Sequence, residues 1–319
     1  MFPVSSCIIQ NGSDLNRIRA FLVRLPYKHR LVDFEERMQI QSVRSNTRVW
    51  EKEGDVIALA YVDAFNNLWF EIHPDHISRE LEQAVLDWGL VCIRKHNADT
   101  GEQSTLDFTC DIKDSERLAF AERFGFQREE VRTLYYARSL GGNIETFPLP
   151  RGFSIRATFG ESEVEALVAL HRAAFGTGNM TVEERLAIMR APGYVSELDL
   201  VAVAPDGNLA AFCICGFEGD DPAAGLTDPI GVHPLHQKVG LGKAIVSAGL
   251  QMLRSRGARI ARLGTSSENV SMQKLAECLG FVCEGEKLWF SKSVPVEVSP
   301  NPRRLRRHPL PESGRGQGG

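Results

Sequence analysis

The sequence predicts an α/β chain built from two similar units, and three observations point there. The first is an internal echo. Gly54-Asp55 pairs with Gly207-Asn208 and Gly125-Phe126 with Gly280-Phe281, at offsets of 153 and 155, and Leu134-Tyr-Tyr-Ala-Arg-Ser139 matches Leu288-Trp-Phe-Ser-Lys-Ser293 at 154. A near-constant offset of this kind is the mark of a tandem repeat. The second is size: 319 residues at 43% hydrophobic composition suffice for two ordinary cores of about 150 residues each. The third is the stretch from Val232 to Gly257, where a strand runs through a Gly-rich turn into an amphipathic helix with Leu241, Ala244, Ile245, Ala248 and Met252 on one face.

Taken in order, the chain opens with helical patterns over 14–25 and 32–40, Ile18, Phe21 and Leu22 sharing a face. Strands follow at 47–52, 56–62 and 68–72, the first two joined by the turn Glu53-Gly54-Asp55. A helix carrying Leu81, Val85 and Trp88 comes after His73-Pro74. Gly141-Gly142, Pro148 and Pro150 mark 141–152 as a linker. The second unit then shows a strand at 153–157 and helices over 161–175 and 182–189, the latter opened by a capping box at Thr181-Val-Glu-Glu184. Strands at 198–204 and 209–217 flank the turn Pro205-Asp206-Gly207-Asn208, a strand runs from Gly225 to Val232, and Leu288–Ser291 closes the sheet. His73-Pro74 and His233-Pro234 stand 160 apart; the excess over the other offsets places an insertion, read as a surface loop, at 218–225. The Pro-, Gly- and Arg-rich residues 294–319 read as a disordered tail.

The turn of the third observation is the chemical centre of the sequence. Gly240 and Gly242 stand at a helix start, where unpaired N–H groups and the helix dipole favour an anion and no Cβ keeps it away. Neither a dinucleotide-binding Gly-x-Gly-x-x-Gly nor a P-loop is present. Gln237-Lys238-Val239-Gly240-Leu241-Gly242 instead resembles the Gln/Arg-x-x-Gly-x-Gly loop of the GCN5-related N-acetyltransferase (GNAT) family. Asn269-Val-Ser-Met-Gln-Lys-Leu-Ala-Glu-Cys-Leu-Gly-Phe281 resembles that family's later Asn-x-x-Ala-x-x-Leu-Tyr-x-x-x-Gly-Phe segment.

The resemblance is close over 153–293 and faint before it. It implies two tandem GNAT-like domains, each a mixed, mostly antiparallel sheet flanked by helices: a degenerate one at 1–140 and a catalytic one at 153–293. It further implies an N-acetyltransferase using acetyl-CoA or another acyl-CoA, with no metal, that passes the acyl group directly to a primary amine of a small molecule or protein. The residues from Gln237 to Lys243, namely Gln237, Lys238, Val239, Gly240, Leu241, Gly242 and Lys243, are the expected pyrophosphate grip. Ile230 and Val232 would offer backbone groups to the pantetheine arm, and Asn269 would either cap its helix or bond that arm. Pro229 and Gly231 weaken a ladder, so their strand should be bulged or splayed.

Two features qualify this reading. Ala276 stands where the family commonly has the Tyr that protonates the departing thiolate, so the general acid is unassigned, with Ser271 or water as stand-ins; this also keeps a non-catalytic acyl-CoA sensor open as the alternative. Asp228 is the one carboxylate on the expected splayed strand and hence a candidate base, with Glu218 and Asp220 as alternatives. His171 and His233 read as structural. In the first unit Glu80 and Glu82 hold the places of Gly240 and Gly242, which should exclude a pyrophosphate and leave that unit a supporting role beside the acceptor cleft.

The net charge of −4 and pI near 6.1 disfavour nucleic-acid binding by the whole molecule, although Arg303, Arg304, Arg306 and Arg307 give the tail a basic stretch. Seven scattered cysteines without Cys-x-x-Cys spacing and the lack of a signal-like or membrane-spanning apolar run predict a cytoplasmic protein without a membrane partner, monomeric or homodimeric.

Overall fold

The computed structural model describes residues 4–9, 12–25, 31–219 and 221–294. The first half runs β1 (Ser5–Ile8), α1 (Gly12–Arg24), α2 (Leu31–Arg37), α3 (Gln41–Ser45), β2 (Thr47–Lys52), β3 (Asp55–Val62), β4 (Leu68–Ile72), α4 (Arg79–Thr100), β5 (Thr105–Asp111), α5 (Ser115–Arg123) and β6 (Gln127–Ser139). The second runs β7 (Ser154–Ala157), α6 (Val164–Phe175), α7 (Val182–Arg190), β8 (Asp199–Val203), β9 (Leu209–Glu218), β10 (Asp221–Val232), α8 (Leu241–Ser255), β11 (Ile260–Ser266), α9 (Val270–Cys278) and β12 (Val282–Ser293).

Local chemistry accounts for the element ends. Glu53 and Gly54, at φ 54° and 88°, make the left-handed pair a tight hairpin between β2 and β3 demands. At α7 both arms of the capping box form: Glu184 N–H donates to Thr181 Oγ1 at 3.1 Å and Thr181 N–H donates to Glu184 Oε2 at 2.7 Å. Helix α7 is tied down by Arg185, whose guanidinium pairs with the fully buried Asp199 of β8, while Tyr194 donates to the same carboxylate at 2.7 Å. Burial and that carboxylate push the Tyr194 phenol up to about 12.

The strands form two sheets, β1-β2-β3-β4 and β5-β12-β6-β11-β10-β9-β8-β7. Read across both, the order is a palindrome in which β1 answers β7, β2 answers β8, and so on to β6 and β12 in the middle. Each half has therefore sent its last strand into the other. Strand β6 pairs with β11 from Ser139↔Ile260 to Thr133↔Ser266, and β12 pairs with β5 from Lys287↔Asp111 to Ser293↔Thr105. The expectation that Leu288–Ser291 closes the second half's own sheet is corrected: the segment is part of a longer strand whose two partners both come from the first half.

The cores follow the strands. Leu288 and Phe290 of β12 are buried in the first-half core, Phe290 stacked on Phe108 with ring centroids 5.2 Å apart. Tyr136, Leu140 and Ile144 are buried in the second-half core. The Gly/Pro-rich stretch after β6 is accordingly packed down: the Ser247 hydroxyl donates to the Glu145 carbonyl, and Gln251 Nε2 donates to Thr146 Oγ1 at 2.9 Å. At the expected surface loop, β9 and β10 pair at Glu218↔Asp221 on either side of residue 220, which lies outside the described residues, with a bulge between Asp221 and Gly225. The tail from 295 onward, with its arginines, lies outside the described residues.

This exchange makes a prediction. Residues 153–293 expressed alone lose both partners of β12 and the seven-residue pairing of β11, leaving apolar edges open. They should be insoluble or unfolded, and soluble when co-expressed with residues 1–152. A cooperative thermal transition from isolated monomeric 153–293 would sink the idea.

Candidate functional site

The second-half site is assembled where β10 leaves β11. The two pair in parallel only over Ala224–Leu226, opposite Ile260–Arg262, after which β10 stays with β9 through a bulge between Thr227 and Ile230. The splay anticipated from Pro229 and Gly231 is thus present. Ile230 and Val232 lie opposite Cys213 and Ala211 of β9, half-buried and packed on the second-half core.

Beyond Val232 the chain makes a short turn at Pro234–His236, opened by His233, whose Nδ1 accepts from Leu235 N–H at 3.2 Å. His73 does the same for Asp75 in the first half, so both histidines are turn-builders. Lys238 (φ 62°) and Gly240 (φ 96°) then carry the backbone through the left-handed region into α8, whose N-cap is Gly240 with no side-chain hydrogen bond. A β-carbon on Gly240 would meet nothing within 4 Å, whereas one on Gly242 would stand 3.3 Å from Leu275 and 3.6 Å from Val232. The glycines thus do different work: Gly240 supplies conformation and an open approach, Gly242 close packing of α8 on its neighbours. Leu241 is buried, so only its backbone can face a ligand.

The remaining anticipated residues divide. Gln237 Nε2 donates to the Val232 carbonyl at 3.2 Å and so braces the loop. Lys238 and Val239 are exposed, and Lys243 lies over the Phe147 ring at 5.4 Å. Asn269 caps α9, accepting from Met272 N–H at 3.0 Å. The counterpart helices show why α8 stands out. In α4 the same place is capped by Ser78, which accepts from Leu81 N–H at 3.2 Å, with Glu80 and Glu82 in the first turn. The α4 terminus is satisfied internally and lined with negative charge, and α8 has neither feature.

Asp228 lies in the splay. Its Oδ2 stands 3.6 Å from where a Gly264 β-carbon would be, and the Tyr135 ring stands at the same distance from that point. Tyr135 is opposite Gly264 in register, so β6 carries a first-half phenol into the second-half site. Sequence reasoning missed it, since it assigned Tyr135 to the first half. Glu218 is ion-paired with Arg262 at 2.5 Å, and Asp220 lies outside the described residues. Ala276 is fully buried in the core and Ser271 is exposed on α9. His171 stacks between Phe175 and Phe212, at 4.6 and 5.4 Å, with Nδ1 unpartnered among the described residues; burial, aided by Arg185, lowers its pKa to about 4.

A model of the acetyltransferase (GNAT) family matches residues 165–281, which span the splay, the loop and both helices. Residues 165–281 thus carry a GNAT-type domain by similarity. Among curated relatives of the chain, a mycothiol acetyltransferase of Arthrobacter sp. (strain FB24) is 31% identical over 170 residues, covering 50% of this chain and 52% of the relative. One of Beutenbergia cavernae is 34% identical over 176 residues, covering 50% and 58%. The chain thus spans about half the length of the curated relatives it matches. Among solved structures, a GCN5-related N-acetyltransferase from Sphaerobacter thermophilus has a TM-score of 0.65 at 18% identity, covering 92% of this chain and 97% of that one. A tandem GNAT protein from the clavulanic acid biosynthesis pathway has a TM-score of 0.67 at 17% identity, covering 92% and 99%. At such identities these likenesses establish the fold, two GNAT-like halves in tandem. Among the described residues no group of three or more His, Cys, Asp or Glu is placed to hold a metal ion, and no helix is long and apolar enough to cross a membrane.

Two outcomes follow for the second half. Because Gly240 sits at φ 96°, Gly240→Ala should cost about 1 kcal/mol of stability from conformation alone. Gly240→Glu should share that cost and in addition weaken coenzyme A binding by about tenfold or more relative to Gly240→Ala. Calorimetric affinities that are equal for the two variants would remove the loop as the phosphate site. For His171, the unfolded chain takes up a proton below about pH 6.5 and the folded one only near 4. Stability should therefore be full above 6.5 and fall as pH drops from there toward 4. Melting temperatures at pH 7 and 5 should differ less in His171→Phe than in the wild type.

Proposed function

We propose that the second half transfers an acetyl, or another acyl, group from a coenzyme A thioester to a primary amine. The observation that carries this is the pairing of an uncapped α8 N-terminus, reached through Gly240, with a splay in the adjoining sheet that holds a carboxylate and a phenol. The free N–H groups of the first turn of α8 suit a pyrophosphate, with Lys238 beside them and Gln237 bracing the loop. Ile230 and Val232 offer the edge that β11 leaves. When bound, the thioester supplies an activated acyl carbon, so the chain has only to present the amine and manage two protons, without a covalent enzyme intermediate.

Asp228 is the group to receive the amine's proton, directly or through water, and Tyr135, whose ring flanks the same space beside Gly264, is the group to return one to the thiolate. This assignment places the general acid on the exchanged strand in place of the missing Tyr at Ala276. We further propose that residues 153–293, completed by β6, form the catalytic half, that 1–140 form a degenerate half joined to it through 141–152, and that seven free cysteines suit a reducing cytoplasm.

The test is a panel of primary amines assayed with acetyl-CoA for acetylated product. The relatives named mycothiol acetyltransferase put the acceptor of that reaction first in the panel. Asp228→Asn should lower kcat about a hundredfold and Tyr135→Phe about tenfold, the latter also losing the alkaline limb of the pH profile. Wild-type kcat and pH profile in both variants would discard the assignment. The second reading, an acyl-CoA sensor, is favoured by Ala276, whose burial leaves no hydroxyl on that face of α9; steady turnover with any amine discards it.

A further inference from the structure

The Gly/Pro-rich stretch 141–152 climbs α8 as a strap. Lys243, Ser247, Gln251 and Arg254 stand about a turn apart on one side of that helix, and each meets the strap. Arg254 Nη1 donates to the Gly142 carbonyl at 3.2 Å, the Ser247 hydroxyl donates to the Glu145 carbonyl, and Gln251 Nε2 donates to Thr146 Oγ1 at 2.9 Å. Ser247 is 1% exposed, so its bond is made out of reach of water. The strap therefore runs antiparallel to α8 and reaches the first turn with Phe147, whose ring faces the Lys243 ammonium at 5.4 Å. Six residues on, Phe153 meets His236 edge-on at 5.5 Å, in the turn that precedes the loop. Both flanks of the loop are thus tied to this one stretch.

Lys243 is an unusual residue for its place. A cation in a first turn opposes the helix dipole, and α8 has no acidic residue in that turn to offset it. Its ammonium is turned to an aromatic face, which attracts a cation through the ring quadrupole. The bonds of the strap fix the ring, and the ring fixes the end of a side chain that is otherwise among the most mobile of all. At the matching place in α4 stands Gln83, which donates to Asp87 of its own helix at 2.9 Å. The first half neither carries this cation nor needs a ring to hold it.

We propose that the strap belongs to the coenzyme A site, with Phe147 as a positioning residue that holds the Lys243 ammonium at the open first turn of α8 as a counter-charge for the pyrophosphate. Ordering the side chain before the ligand arrives removes part of the entropy that binding would otherwise cost. The inference rests on the coenzyme A reading above and adds to it residues 142–147, which lie outside both the loop and the stretch matched by the family model.

Calorimetric titration of the full chain with acetyl-CoA tests it. Lys243→Met should weaken binding about tenfold and Phe147→Leu about fivefold, while Phe147→Tyr, which keeps the ring face, should stay within about twofold of the wild type. In a Lys243→Met background Phe147→Leu should have no further effect, because its role runs through the ammonium. Pentafluorophenylalanine in place of Phe147 keeps the ring and reverses its quadrupole; it should weaken binding at least as much as Phe147→Leu, and it decides the matter should Phe147→Leu fail to fold. Unchanged affinity in either of these variants would overturn the proposal, as would a loss in Phe147→Tyr equal to that in Phe147→Leu. So would a loss from Phe147→Leu that is the same with and without Lys243. Each of those results leaves the coenzyme A reading in place, whereas a wild-type chain that binds no acetyl-CoA overturns both.

Discussion

The antiparallel pairing of β6 with β12 is the interaction on which the rest depends. It lies at the centre of the palindromic strand order and is pinned by side chains across the seam: Trp289 Nε1 donates to Thr133 Oγ1 at 2.9 Å, and Arg132 pairs with Glu286 at 2.8 Å. Neither half owns a complete sheet or a complete core. Phe290 supplies the first half with a ring whose loss would cost about 3–5 kcal/mol by analogy with buried aromatic truncations, while Tyr136 and Leu140 do the equivalent for the second. A half without the second half's loop is thus still required for the second half to exist.

The same exchange settles what each gap contains. In both halves the fourth strand parts from the fifth, at β4/β5 after one bridge and at β10/β11 after three pairs. What differs is the helix that follows. Ser78 answers a first-turn N–H of α4 internally, and carboxylates crowd that turn, whereas Gly240 leaves the first turn of α8 open. The two helix starts thus differ in side chains and in backbone, extended at Ser78 and left-handed at Gly240, which closes the α4 terminus to an anion and leaves that of α8 open. The crossed strands then contribute residues to the opposite gap, Tyr135 beside Asp228 and Lys287 in the lining of a first-half cavity.

Much of this was legible in the sequence because it is local. The hairpin at Glu53-Gly54, the capping box at Thr181, the splay at Pro229 and the turn at Gly240 each depend on residues within a few positions of one another. Strands β5, β6 and β11 were harder. In β11 the apolar alternation is carried by Ala261, Leu263 and Thr265, and Gly264 weakens it further, so the pattern is faint although the burial alternates cleanly. The exchange was not readable in principle from one sequence. Leu134–Ser139 and Leu288–Ser293 echo each other, and two segments with the same pattern fit the same slot, so nothing local says which half each completes. That echo was nevertheless the available signal, and it would have brought Tyr135 forward as a candidate for either site.

Strand alternation also decides from which side a proton can come. Successive side chains of a strand point to opposite faces, and in β11 Ala261 and Leu263 are buried in the core that α8 and α9 cover, which puts Arg262 and Gly264 on the other face. Ala276 of α9 is packed into that same core, fully buried, so that position offers a methyl group and no acid. Gly264 leaves the opposite face open, and Asp228 and Tyr135 flank the space its missing side chain would fill. Under the proposed assignment the protons would move on that one face, where a carboxylate from β10 and a phenol ring from the exchanged β6 flank Gly264.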